Sequence, residues 1–170
     1  MRTRYLLVTL LTAFVVAADQ LSKYWVVRTL APDGRIAVVD SFFDLVYVLN
    51  RGAAFGLLNR ADITWQKTFF IVTALLALGI IIHIVRSSGE NERLLQVGLG
   101  LISGGASGNL IDRIRLGEVI DFLDVYVGAW HWPAFNVADS AISVGAILVL
   151  LSYYRRGRSA TANSGAIRHV

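Results

Sequence analysis

Apolar residues along this chain gather into four long runs separated by shorter polar stretches. The runs are Tyr5 to about Val27, Thr68–Val85, Leu94–Ile111 and Val137–Tyr154. Each is about 18 to 23 residues, against the roughly 20 that a helix needs to cross a hydrocarbon core about 30 Å thick. They consist mostly of Leu, Ile, Val and Ala, with no strict alternation of apolar and polar positions, which argues against a barrel. In lipid each segment must satisfy its own backbone polar groups, so the pattern predicts four membrane-spanning helices.

Between the first and second runs the pattern changes. Pro32, Asp33 and Gly34 form a turn signal. Ile36–Val39 and Phe42–Leu49, rich in Val, Phe and Tyr, predict two short strands and hence a small sheet at the membrane interface. Asn50 to Leu58 is amphiphilic and punctuated by glycine. Residues 86–93, with Ser87, Ser88 and Gly89, predict a tight turn between helices two and three. One domain, residues 1–158, is expected, followed by a disordered tail over 159–170 rich in Ser, Ala, Gly and Arg.

Arginine sets the expected orientation. Arg2, Arg4, Arg86, Arg93, Arg155, Arg156, Arg158 and Arg168 are dense in the short segments 1–4, 86–93 and 155–170. The remaining basic residues are spread thinly over the longer segments. The bias predicts both termini in the cytoplasm and the long connections outside. Arg2 and Arg4, an apolar stretch to Val16, and then Ala17 and Ala18 also look like a cleavable leader. Apolar character resumes after Lys23 with Tyr24, Trp25, Val26 and Val27, so this run is read as the first span.

Composition narrows the chemistry. The 170 residues are 55% hydrophobic and 16% charged, with a mean hydropathy of +0.59. Soluble domains carry about 25% charge. Cysteine is absent, which excludes disulfides and thiol catalysis. His83, His131 and His169 are scattered without metal-ligand spacing, so no metal site is read from them. The net charge of +4 resides largely in flanking arginines and is no nucleic-acid signal.

The informative residues are the polar ones inside the spans, because an ionisable group at that depth is expensive. Asp19 and Lys23 are four apart on helix one and share a face. Asp19 lies about 21 Å along the helix from Tyr5, in the outer third of the bilayer. Helix three carries Gly98, Gly100, Gly104, Gly105, Ala106, Ser107 and Gly108, a small-residue face for close packing. Asn109 and Arg113 follow on one face, with Asp112 beside them. Asp139 opens helix four, Asn136 precedes it, and Asp121 lies in the short segment leading there. Asp19, Lys23, Asn109, Arg113, Asp121, Asn136 and Asp139 therefore map to one level, at the outer end of a four-helix bundle. Asp124 competes with Asp121 for the loop carboxylate, and pattern alone does not separate them. Trp130, His131 and Trp132 are read as an interfacial belt, and His83 as an interfacial side chain.

Three classes of function suit such a chain. A transporter would need polar steps through the inner halves of the helices, which are almost wholly apolar. A purely structural subunit would leave the aspartates unexplained. A single site built on two close carboxylates, which share a proton, accounts for both observations.

Five blocks occur in order: Asp19-Gln20-x-x-Lys23; Asn50-Arg51-Gly52-Ala53-Ala54-Phe55; Gly104-Gly105-Ala106-x-Gly108-Asn109-x-Ile111-Asp112-Arg113; Val119-Ile120-Asp121-Phe122; and Phe135-Asn136-x-Ala138-Asp139. Together they resemble the lipoprotein signal peptidases (signal peptidase II), over about residues 5–155. The resemblance implies an intramembrane aspartyl protease, mainly α, with four transmembrane helices. It also implies a small extracytoplasmic β-sheet, or cradle, and a short extracytoplasmic helix over the site. Asp121 and Asp139 match the family's catalytic pair. The implied substrate is a prolipoprotein whose lipobox cysteine carries diacylglyceryl, cut on the N-terminal side of that cysteine at the outer face. Asn50 and Arg113 are expected on the substrate backbone, and Asn109 and Asn136 on the aspartates. Asp19 and Lys23 would act as a brace, Gly105 as support, and Arg51 on lipid head groups or substrate. The resemblance implies no metal or organic cofactor. Membrane lipids are the other expected partners, and a monomer is expected because the site needs no second chain.

Overall fold

The computed structural model describes residues 3–30, 34–52 and 65–167, with side chains to Arg158. The elements in chain order are α1 (Thr3–Thr29), β1 (Arg35–Val39), β2 (Phe43–Asn50), α2 (Gln66–Ser87), α3 (Arg93–Arg115), β3 (Val119–Val127), β4 (Trp130–His131) and α4 (Val137–Ile167). All four helices are long and apolar enough to cross a membrane. The chain is thus a multi-pass membrane protein, mainly α, with a small sheet. α4 continues past the predicted end of the span at Tyr154, its backbone reaching Ile167.

α3 lies at the centre, packed against α1, α2 and α4. Its glycines explain how two neighbours approach so closely. A Cβ on Gly98 would lie 2.8 Å from the carbonyl oxygen of Gly145 in α4, and one on Gly145 would lie 2.7 Å from that of Gly98. On the other side, a Cβ on Gly104 would come within 2.5 Å of Val15 Cβ in α1. Lipid offers no hydrophobic drive for association, so small residues that maximise contact hold the helices together. The outward faces of α1 and α2 remain apolar, with Phe14 and Leu76 exposed in the bare chain and suited to lipid.

The ends of the bundle are fixed differently. At one end Arg4 donates to the carbonyl of Ser88 and lies beside Glu90, while Arg156 pairs with Glu92. Buried Gln96 donates to the carbonyl of Gly89 at 2.8 Å. The starts of α1 and α3, the end of α2 and the 155–158 flank therefore meet there. At the other end α3 stops at Gly117, whose positive φ of 84° turns the chain into β3.

The sheet is antiparallel throughout, ordered β1-β2-β3-β4. β1 and β2 fall within a residue or two of the expected strands. β3 corrects the sequence reading: residues 119–122 are not a loop, and Asp121 stands on an inner strand opposite Val48. Val26, Leu30 and Phe122, with Leu45, Tyr47, Leu123 and Val137 around them, seat the sheet on the end of α1. Pro32 and Asp33 of the expected turn, Ala53–Leu58 and the implied short helix lie outside the described residues.

Candidate active site

Asn136 organises the polar end of the bundle. Its side-chain oxygen accepts the backbone N–H of Asp139 at 2.9 Å, and its own N–H donates to Asp139 Oδ2 at 3.2 Å. This reciprocal cap starts α4 and fixes the Asp139 carboxylate in the first turn. The Asn136 amide also donates to Asp121 Oδ1 at 2.7 Å, with the Ile120 carbonyl at 3.3 Å and Asn109 Oδ1 at 3.2 Å. One fully buried side chain thus touches both carboxylate residues.

Each carboxylate has a second amide donor. Asn109 Nδ2, on α3, donates to Asp139 Oδ1 at 2.8 Å. Asn50 Nδ2, at the end of β2, donates to Asp121 Oδ2 at 3.0 Å, while its Oδ1 accepts from the N–H of Gly52 at 2.9 Å. Arg113 reaches the carbonyl of Gly52 at 3.3 Å and lies over the Phe70 ring. Burial pushes the Asp121 carboxyl up to about 6, and the nearby Asp139 charge adds to this, while hydrogen bonds from Asn50 and Asn136 pull the other way.

Beneath the carboxylates lies a charge network. Lys23 Nζ sits 2.8 Å from Asp19 Oδ2, 2.7 Å from Asp112 Oδ2 and 3.0 Å from Asn109 Oδ1. Asp19 is fully buried, and its other oxygen accepts the N–H of Ala138 at 3.0 Å, at the start of α4. Gln20 donates to Asp112 at 2.9 Å and lies 3.2 Å from the Gly108 carbonyl. α1 therefore braces both α3 and α4. Asp112 and Gln20 are supporting residues that the sequence reading left unassigned, although both stand inside its motifs.

A cavity of about 510 Å³ opens over the carboxylates. Asn50, Gly52, Asn109, Arg113, Asp121 and Asp139 form its polar side, and Val119, Phe135, Ile142 and Val144 much of its apolar side. Trp132, Pro133 and Ala134 line it as well. Its size lies in the range of ligand-binding clefts. Asp124 is not among the lining residues: strand alternation turns it from Asp121, and it contacts His131 instead. Gly105 does not line the cavity either. It lets α4 seat on α3, since a Cβ there would lie 2.3 Å from the Ala138 carbonyl oxygen. Arg51 pairs with Glu118 at 3.0 Å and is not among the lining residues. Among the described residues no His, Asp or Glu cluster is arranged to hold a metal.

These features define a polytopic membrane protein with a carboxylate site at one end of its helical bundle. The family model described as signal peptidase (SPase) II matches residues 11–155. The lipoprotein signal peptidase of Oleidesulfovibrio alaskensis is 53% identical over 91% of this chain and 99% of its own length. That of Nitratidesulfovibrio vulgaris is 50% identical over 90% and 92%. A bacterial membrane enzyme solved by the in meso method at 2.3 Å resolution superposes with a TM-score of 0.78 at 32% identity, covering 87% of each chain. The chain belongs to the signal peptidase II family, and it is an enzyme of that aspartic peptidase class.

Proposed function

We propose that this cavity hydrolyses one amide bond of a prolipoprotein whose lipobox cysteine bears diacylglyceryl, cutting on the N-terminal side of that cysteine with Asp121 and Asp139 as the catalytic pair. The observation that carries this reading is Asn136 in contact with both carboxylate residues, at the floor of a cavity with polar and apolar sides. Relatives named lipoprotein signal peptidase, matching along almost their whole length, support the substrate class.

The chemistry follows from two acids that share a proton. The ionised member takes a proton from water as the water oxygen bonds to the scissile carbonyl carbon. The protonated member hydrogen-bonds the carbonyl oxygen and stabilises the charge developing there. Collapse of the tetrahedral intermediate breaks the C–N bond, and the departing amine takes up a proton from the pair. An Asp121 carboxyl that holds its proton up to about 6 supports this role, and the titration belongs to the pair rather than to one member. Asn50 and Arg113 face the substrate backbone, Asn109 and Asn136 hold the carboxylates, and Asp19 with Lys23 supports the start of α4.

The site faces the outer leaflet, with both termini cytoplasmic. Arg4, Arg86, Arg93, Arg155, Arg156 and Arg158 belong to the elements that meet at the end of the bundle away from the cavity, which agrees with the positive-inside bias. The diacylglyceryl chains stay in lipid while the peptide reaches the carboxylates at its rim.

The test is incubation of the purified protein with a synthetic diacylglyceryl lipobox peptide, with mass analysis of the products. Cleavage before the lipidated cysteine is expected, and Asp121→Asn and Asp139→Asn are expected to fold but not cleave. Cleavage elsewhere, or near wild-type turnover by either folded variant, overturns the proposal.

A further inference from the structure

Behind the cavity wall, β4 is only two residues long, Trp130 and His131, and pairs with the end of β3. Strands this short have little stability of their own. Yet the four residues that follow, Trp132 to Phe135, all line the cavity, and Asn136 comes next. The wall is hung at both ends: Trp132 N–H donates to the Val125 carbonyl at 2.8 Å, and Phe135 exchanges backbone hydrogen bonds with Leu123 at 3.1 and 2.8 Å. Something beyond a two-residue ladder must hold its near end.

His131 supplies it. Its Nδ1 lies 3.0 Å from each oxygen of the Asp124 carboxylate, and its ring stacks on Tyr126 at 4.7 Å with an interplanar angle of 12°. Asp124 stands directly opposite Asp44 across β2 and β3, and both are buried. Arg35 pairs with Asp44 and lies over the Tyr126 ring, whose hydroxyl is 3.4 Å from Asp44. Arg35, Asp44, Asp124, Tyr126 and His131 thus form a closed cluster, in which Arg35 answers one carboxylate and His131 the other. Without the imidazole, Asp124 would face Asp44 across the ladder lacking this partner, and the Tyr126 stack would open.

We propose that His131 is a positioning residue for substrate binding: anchored by Asp124 and Tyr126, it fixes the Trp132–Phe135 wall against which the substrate segment lies. It touches neither Asp121 nor Asp139 in any contact described above, so its effect falls on affinity rather than on the bond-breaking step. The inference rests on reading the cavity as the peptide site.

The experiment measures KM and kcat separately, with the purified enzyme and the diacylglyceryl lipobox peptide, for wild type, His131→Ala, His131→Gln and Asp124→Asn. Loss of a uniform binding contribution raises KM and leaves kcat nearly unchanged. His131→Ala is expected to raise KM about tenfold, the factor for one hydrogen bond to a charged group, with kcat within about threefold. Asp124→Asn should reproduce the rise, and His131→Gln, which keeps a donor, should lie between. A double His131→Ala, Asp124→Asn variant should be no worse than the worse single one. Wild-type KM in folded His131→Ala, or a fall in kcat alone with lowered thermal stability, overturns the proposal. If His131→Ala does not fold, Asp124→Asn decides by the same criterion. Failure of the wild-type enzyme to cleave the peptide would instead count against the function proposed above.

Discussion

The Asn136 amide donates to the Asp121 carboxylate at 2.7 Å, joining residues 15 apart that stand on a strand and at a helix start. A backbone bridge between Leu123 and Phe135 brings β3 beside the start of α4, and the Asn136 side chain fixes the two carboxylates within that frame. Asn136→Ala removes this tie, the helix cap and the contact with Asn109 together. Loss of a cap costs about 1 kcal/mol. Misplacing reacting groups by about 1 Å costs about 100-fold in rate. Asn136→Ala should therefore lose about 100-fold in kcat on the lipopeptide while the purified protein still unfolds cooperatively. Near wild-type kcat would show that the carboxylates are positioned without it.

Lys23 answers two buried carboxylates at once, Asp19 at 2.8 Å and Asp112 at 2.7 Å. Removing one partner of a buried pair costs about 3–5 kcal/mol, because the remaining charge stays desolvated. Lys23→Met should cost at least that, since it strands two carboxylates, whereas Asp112→Asn leaves the Lys23–Asp19 pair in place and should be milder. Thermal or denaturant unfolding in detergent checks the order. Equal effects, or a Lys23→Met loss below about 1 kcal/mol, would contradict it.

How much of this was legible in sequence depends on the range of each interaction. The four spans follow from length and apolarity alone, and the Asp19–Lys23 pairing from a four-residue spacing. Asp112 as the second partner of Lys23 was not legible, because it comes from another helix and only the packing of α1 on α3 brings it near. β3 was hidden for a different reason. Val119 to Phe122 is buried on both faces, so its residues show no alternation to mark a strand. Had it been read as a strand, parity would have put Asp121 and Asp124 on opposite faces, so that only one of them could face Asp139. Glu118, the partner of Arg51, carries no local signal at all.

The glycines of α3 give a prediction with an internal control. A Cβ on Gly105 would lie 2.3 Å from the Ala138 carbonyl oxygen, and one on Gly108 would lie 2.5 Å from Asp19 Oδ2. The first obstacle is backbone and cannot swing aside. Gly105→Ala must therefore push α4 outward, carrying Asp139 with it. Gly79, in α2, has nothing within 4 Å of an added Cβ. Gly105→Ala should lower both the thermal midpoint and turnover. Gly79→Ala should leave turnover unchanged and stability equal or about 0.5–1 kcal/mol higher, from helix propensity. A Gly105→Ala enzyme indistinguishable from Gly79→Ala would mean that the α3–α4 approach is looser than the geometry requires.

The Asp121 carboxyl makes stability depend on pH with a definite sign. Its pKa in the fold is about 6 against an ordinary 3.8, chiefly because burial disfavours the charged form. Between those values the folded chain holds a proton that the unfolded chain has released, so stability falls as pH rises through that window and levels off above it. A shift of this size corresponds to about 3 kcal/mol. Asn at 121 cannot titrate. The amide has one oxygen to offer Asn50 and Asn136 where the carboxylate has two, and that deficit displaces its stability by a similar amount at every pH. What carries the information is therefore the slope. The thermal midpoint of Asp121→Asn minus that of wild type should climb by several degrees from pH 4 to pH 7 and then stay level. A difference that is flat or falling across that interval would mean that Asp121 folds ionised without penalty, and that the shared proton resides elsewhere.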